Sequence, residues 1–276
     1  MVITHATVLF FVIFFLQPLH GDEPDLRALQ GLSDTRYHRF ESAIVEETTY
    51  HLYVRLPENY EPGKKYPVVY LLDGGVLFPM LGGYYRFIQR EEDYPSLIIV
   101  GISYGTADFR KGNFRARDYT AKSEERAYWG GADDFQAVLS KEIFPLIEKH
   151  YQGDSSRRIV FGQSLGGQFA LYSAATAPGL FWGYISSNPA LHRNLNLFLD
   201  LEPVVVKKSQ QPKVFVSRAS LDEPRFLEPS QRWVEHWIGA GKLPWTVNVT
   251  TLEGYGHFSA APEAFRLGLR WLFQAE

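Results

Sequence analysis

The stretch RRIVFGQSLGGQFALYSAATAPG, residues Arg157 to Gly179, decides how the rest of the chain is read. It runs from a short apolar segment, RIVF, through G-x-S-x-G centred on Ser164, and into GGQFALYSAAT. In that last part Phe169, Ala170 and Ser173 recur at helical spacing. A strand, a sharp turn and an immediate helix make a nucleophile elbow, and the small residues Gly162, Gly166 and Gly167 let such a turn close. The helix start then directs free N–H groups and the positive end of its dipole toward the serine. The same pattern occurs upstream around Ser103, but YGTADFRKGNFRARDYT follows it, rich in charge and glycine and without a helical stripe. Ser103 therefore reads as a strand-end residue near a pocket, and Ser164 as the nucleophile.

The flanking sequence supports that setting. YPVVYLLDGG, PSLIIVGIS, LFWGYISSN, PKVFVSR and WTVNVTTLEG are continuous apolar runs, as strands covered on both faces should be. Helical patterns lie between and after them, over Ala132 to Tyr151, Leu165 to Thr176, Pro229 to Ile238 and Pro262 to Phe273. Pro145 is expected to kink or divide the first of these. Tyr37 to Glu46 and Thr49 to Leu56 alternate and predict an antiparallel opening hairpin. The alternation of strands and helices predicts an α/β fold, with a mostly parallel central sheet, helices on both faces and one domain over residues 22–276.

Residues 1–21 read as a targeting segment. Ala6 to Leu16, ATVLFFVIFFL, has the length of a secretory h-region and is shorter than the roughly 20 apolar residues of a membrane span. No Lys or Arg precedes it, so an uncleaved N-terminal anchor is the alternative to a signal peptide. With a signal peptide the protein is secreted or periplasmic, and no membrane contact beyond that segment is expected.

A composition of 45% hydrophobic and 21% charged residues is that of a globular chain. The absence of cysteine excludes a disulfide framework and a thiolate metal site. A net charge of -3 supplies no basic field for nucleic acid. No HExxH or other close His/carboxylate spacing occurs among the eight histidines, so neither metal nor cofactor is expected. A small-molecule ester is the expected partner.

A serine hydroxyl needs a base, and three histidines follow Ser164. His192 comes soon after it, and His236 sits in a helical pattern beside two tryptophans. His257, in the Gly-punctuated loop LEGYGHFSAAPEAF after the last strand, is placed to reach across the sheet's carboxyl edge. The acid is sought at the end of PKVFVSRASLDEPRF, where Asp222 is chosen and Glu223 kept in reserve; a carboxylate there would fix the imidazole tautomer. Oxyanion donors are expected at the N–H of Leu165 and in Asp73-Gly74-Gly75, with Gly75 preferred. Arg115, Arg117, Tyr104 and Trp129 are candidate substrate contacts for an acidic or aromatic acyl compound. A structural Arg117–Asp118 pair with aromatics packing the loop is the competing reading.

These residues resemble the esterase branch of the α/β-hydrolases that includes enterochelin esterases, S-formylglutathione hydrolase (esterase D) and the antigen 85 mycolyltransferases. The likeness is carried by YPVVYLLDGG, IIVGISYG followed by RARDYT, GGADDFQAVLSKEIFPLIEKHY, FGQSLGGQFALY, ISSNPAL and GYGHFS. It implies the α/β-hydrolase fold, Ser164 as nucleophile, His257 as base, and Leu165 with Gly75 as oxyanion donors. It also implies a serine carboxylic-ester hydrolase working through an acyl-enzyme; siderophore-type or phenolic esters are what the arginines and aromatics of the flanking loops would fit if they converge on the pocket. Members often carry a glycine shortly before the acid, where this chain has Ala219. Acyl transfer at the same site and a non-catalytic binding domain are the alternatives.

Overall fold

The computed structural model describes residues 31–108, 111–123, 126–239, 241 and 245–274, so the predicted signal segment and Arg110, the first arginine of YGTADFRKGNFRARDYT, lie outside the described residues. Eight strands form one sheet: β1 (Thr35–Glu41), β2 (Thr49–Arg55), β3 (Tyr66–Leu71), β4 (Ile98–Ser103), β5 (Gly153–Gln163), β6 (Gly183–Ser187), β7 (Lys213–Ala219) and β8 (Thr246–Leu252). Their spatial order is β1-β2-β4-β3-β5-β6-β7-β8. The β2 strand runs antiparallel to β1 and β4, and every other pairing is parallel.

The central strands are buried on both faces because successive side chains enter different cores. Along β3, Val68 and Tyr70 join one core, while Val69 and Leu71 join the other. The first core lies under α3 (Ala132–Val138), α4 (Phe144–Tyr151) and α5 (Leu165–Thr176), with Phe135, Phe144 and Phe169 buried in it. The second lies under α1 (Gly74–Ile88) and α8 (Ala261–Gln274), where Leu77, Leu81 and Phe265 are buried. Short helices α2 (Arg115–Asp118) and α6 (Leu195–Asp200), and the longer α7 (Pro224–Val234), complete the set.

Three local expectations are revised. The first strand ends at Glu41, not Glu46, because the Ser42 hydroxyl accepts the N–H groups of Ile44 and Val45 at 3.1 and 3.0 Å and turns the chain. The helix expected from Pro229 starts at Pro224, whose missing N–H is harmless at a first helical position. The loop after Ser103 contains the turn of helix α2. As expected, Pro145 divides the long helix: a π-helical turn over Leu139–Ile143 separates α3 from α4, and the Phe144 N–H reaches back to Leu139.

Candidate active site

The parallel strands β3 to β8 end at one edge of the sheet, and the candidate residues follow those ends. Ser164 joins β5 to α5 with φ 60° and ψ -112°, a conformation that a non-glycine residue holds at about 1–3 kcal/mol. Its N–H donates to the Ser187 carbonyl and its carbonyl accepts from Ala190, both at 3.0 Å. The turn is as tight as two glycines allow. A side chain at Gly162 would meet the Gly166 carbonyl oxygen at 2.1 Å, and one at Gly167 would meet that of Ser187 at 2.9 Å. Leu165 opens α5, so its N–H has no acceptor four residues back within the helix.

His257 sits in the loop between β8 and α8. Its Nδ1 is 2.8 Å from Asp222 Oδ2, and both side chains are nearly buried, 8% and 3% exposed. A carboxylate only accepts, so Nδ1 carries a proton, and in the neutral ring that leaves the lone pair on Nε2. Phe226, in the first turn of α7, stacks on the imidazole with centroids 4.0 Å apart. Asp222 is the acid the structure brings to His257; Glu223 turns outward to pair with Arg225 at 2.9 Å. His192 lies edge-on to Phe226, and His236 lies beside Trp237.

Two residues that sequence reasoning missed hold the main chain of His257. The side-chain amides of Gln163 and Asn188 both donate to the His257 carbonyl. Gln163 occupies the variable position of G-x-S, which nothing in the pattern marks; Asn188 has φ 42° just past β6.

The second helix start facing this edge is that of α1. Gly75 is its second residue, with its N–H in the open first turn, and a side chain there would meet Ser103 Oγ at 2.8 Å. Ser103 ends β4, 7% exposed, and its Oγ accepts from the Gly105 N–H. Asp73, just before α1, has φ 54° and pairs with Arg115.

Two of the remaining candidates, Tyr104 and Arg117, meet at the buried carboxylate of Asp118. Tyr50 and Tyr104 donate their hydroxyls to Asp118 at 2.7 and 2.8 Å, and Arg117 Nε donates to the same carboxylate at 2.6 Å. Burial pushes the Asp118 carboxyl upward, opposed by the Arg117 hydrogen bond. Tyr104 and Arg117 are thus both engaged with Asp118. Arg117 and Trp129 also line a cavity of about 540 Å³ with Phe114, Tyr128 and Asp134, and the Arg193 guanidinium lies over the Trp129 ring. Among the described residues no cluster of three His or carboxylate side chains is placed to hold a metal.

A family model described as Putative esterase matches residues 42–255. The chain belongs to that family. The esterase is 30% identical over 254 residues to the ferri-bacillibactin esterase BesA of Bacillus subtilis (strain 168), covering 84% of this chain and 88% of that one. It is 29% identical over 194 residues to the apo-salmochelin esterase of Escherichia coli O6:H1, covering 64% and 60%. Among solved structures, siderophore hydrolase EstB from Aspergillus nidulans matches with a TM-score of 0.73 at 19% identity over 88% of this chain and 96% of that chain. The BES protein from Bacillus cereus matches with a TM-score of 0.70 at 25% identity over 87% and 95%. The fold of this esterase is the α/β-hydrolase fold, carrying an antiparallel N-terminal hairpin.

Proposed function

We propose that this esterase hydrolyses siderophore esters through an acyl-enzyme on Ser164. The observation that carries the mechanism is the His257–Asp222 hydrogen bond at the strand edge that also bears the strained Ser164. The substrate class rests on relatives named as esterases of ferri-bacillibactin and salmochelin.

In this reading Ser164 Oγ attacks the ester carbonyl as its proton passes to His257 Nε2. Asp222 fixes the imidazole and stabilises the imidazolium without taking the proton. The N–H groups of Leu165 and Gly75 bind the oxyanion, each contributing roughly 2.7–4 kcal/mol to the transition state. His257 then returns the proton to the leaving alcohol, and a water activated by the same imidazole releases the acid. Arg117 and Trp129 offer their cavity to the non-reacting part of the substrate, while Tyr104 supports that wall from behind through Asp118. Arg115 acts from the Asp73 side of the reacting centre.

Chromatography of bacillibactin, with and without iron, tests the substrate class. Wild-type protein is expected to release ester-cleaved products, with a roughly 10⁴–10⁶-fold loss in Ser164→Ala. Turnover of simple aryl esters with both forms of bacillibactin untouched would contradict it. Export belongs to the same reading: a signal peptide over residues 1–21 predicts a mature N-terminus near residue 22, which N-terminal sequencing of exported protein reads. Among the described residues no helix is long and apolar enough to cross a membrane.

A further inference from the structure

We propose that Gln163 is a positioning residue for the reaction: its carboxamide ties the main chain of His257 to the strand that carries Ser164. The proposal rests on the reading of Ser164 and His257 as the reacting pair.

The geometry starts from the alternation of β5. Phe161 enters the core beneath α8, its ring 5.6 Å from that of Phe265. Gln163, two residues on, points to the same side and is 8% exposed. The loop between β8 and α8 passes over that side, and the Gln163 Nε2 group donates to the His257 carbonyl, 94 residues away in sequence. Asn188 Nδ2 donates to the same oxygen at 3.3 Å, and the Asn188 backbone N–H is anchored on Ser217 at 3.0 Å. One carbonyl is therefore gripped from two neighbouring strand ends.

What those bonds fix differs from what the other contacts of His257 fix. Asp222 and Phe226 both belong to the connection from β7 into α7, so they set the ring relative to that segment. Gln163 is the residue next to the nucleophile, so its bond sets the base relative to Ser164 itself. The approach to His257 is likewise tied to the segment after β7, since the Gly254 N–H donates to Ser220 Oγ and the Tyr255 carbonyl accepts from the Leu221 N–H, both at 2.9 Å. A misplacement of about 1 Å between reacting groups lowers rates by roughly 100-fold.

Only the donor half of the amide is used; Gln163 Oε1 is buried and has no hydrogen-bond partner among the described residues. This separates positioning from mere filling of space. Gln163→Met keeps the volume and removes the donor, whereas Gln163→His keeps an N–H at comparable reach. Steady-state kinetics on a small aryl ester, with melting temperatures measured alongside, are the test. Gln163→Met is expected to lose roughly 10–100-fold in kcat with KM and melting temperature near wild type. Gln163→His is expected to recover most of that loss. Wild-type kcat in Gln163→Met would overturn the proposal. So would equal losses in both variants that follow a fall in melting temperature, since packing alone would explain them. Ser164→Ala belongs in the same assay. If it keeps wild-type turnover the underlying mechanism fails too; if it is dead while Gln163→Met is unaffected, only the tether fails.

Discussion

Arg115 and Asp73 face each other in a two-point ion pair, Nε to Oδ1 at 2.6 Å and Nη2 to Oδ2 at 2.8 Å. Asp73 stands immediately before the helix start that holds Gly75, and its carboxylate lies 3.8 Å from where a Gly166 side chain would begin. A negative charge thus sits between the two helix starts assigned to the oxyanion, and Arg115 balances it. Arg115→Met is expected to destabilise the fold by about 3 kcal/mol, because it leaves a largely buried carboxylate alone, and to lower kcat. Asp73→Asn added to Arg115→Met should recover much of the stability, read by urea denaturation.

Asp222→Asn tests the orientation of the base. An amide can donate to Nδ1 and favour the wrong tautomer, so kcat is expected to fall by roughly 10⁴-fold with the fold intact. Glu223→Gln changes only an exposed carboxylate paired with Arg225 and should retain wild-type turnover.

Gly75→Ala places a methyl group 2.8 Å from Ser103 Oγ. Either the Ser103 hydroxyl rotates away from the Gly105 N–H or the first turn of α1 shifts and carries its N–H off the oxyanion position; a loss of roughly 10²–10³-fold in kcat marks the second. Ser103→Ala removes the obstructing oxygen, so the double variant should be faster than Gly75→Ala alone. That outcome would also give Ser103 a packing role and not a nucleophilic one.

Glu92 links the end of α1 to α8 by accepting from Arg266 and Arg270. The Arg270 hydrogen bond holds its carboxyl below the usual range. A carboxyl lowered on folding contributes stability above its unfolded pKa and loses that contribution as pH falls through the folded value. Glu92→Gln should therefore be about 1 kcal/mol less stable at pH 7, with the gap closing as pH falls below roughly 4.3. Melting curves across that range read it.

The parallel sheet and the elbow were legible because their causes are local. Strands buried on both faces must be apolar throughout, and the turn at Ser164 admits only small neighbours. The α1 helix was not legible, since Gly74, Gly75, Gly82, Gly83 and Pro79 mask an apolar face of Leu77, Phe78, Leu81, Tyr85 and Ile88. Gly74 is required there by contact with β4, where a side chain would meet the Gly101 carbonyl carbon at 2.4 Å. Asp222 could be placed by its position after β7, and Leu165 by its position after Ser164. Phe226, Gln163 and Asn188 could not, because what they do depends on which strand ends are neighbours in space.

The central claim is that Ser164 carries the acyl group. Mass-spectrometric peptide mapping after reaction with a fluorophosphonate tests it most directly, applied to wild type, Ser164→Ala and His257→Ala. A single adduct on the peptide containing Ser164, absent from Ser164→Ala and formed far more slowly in His257→Ala, is the predicted result. An adduct on Ser103, or full ester turnover by Ser164→Ala, would contradict it.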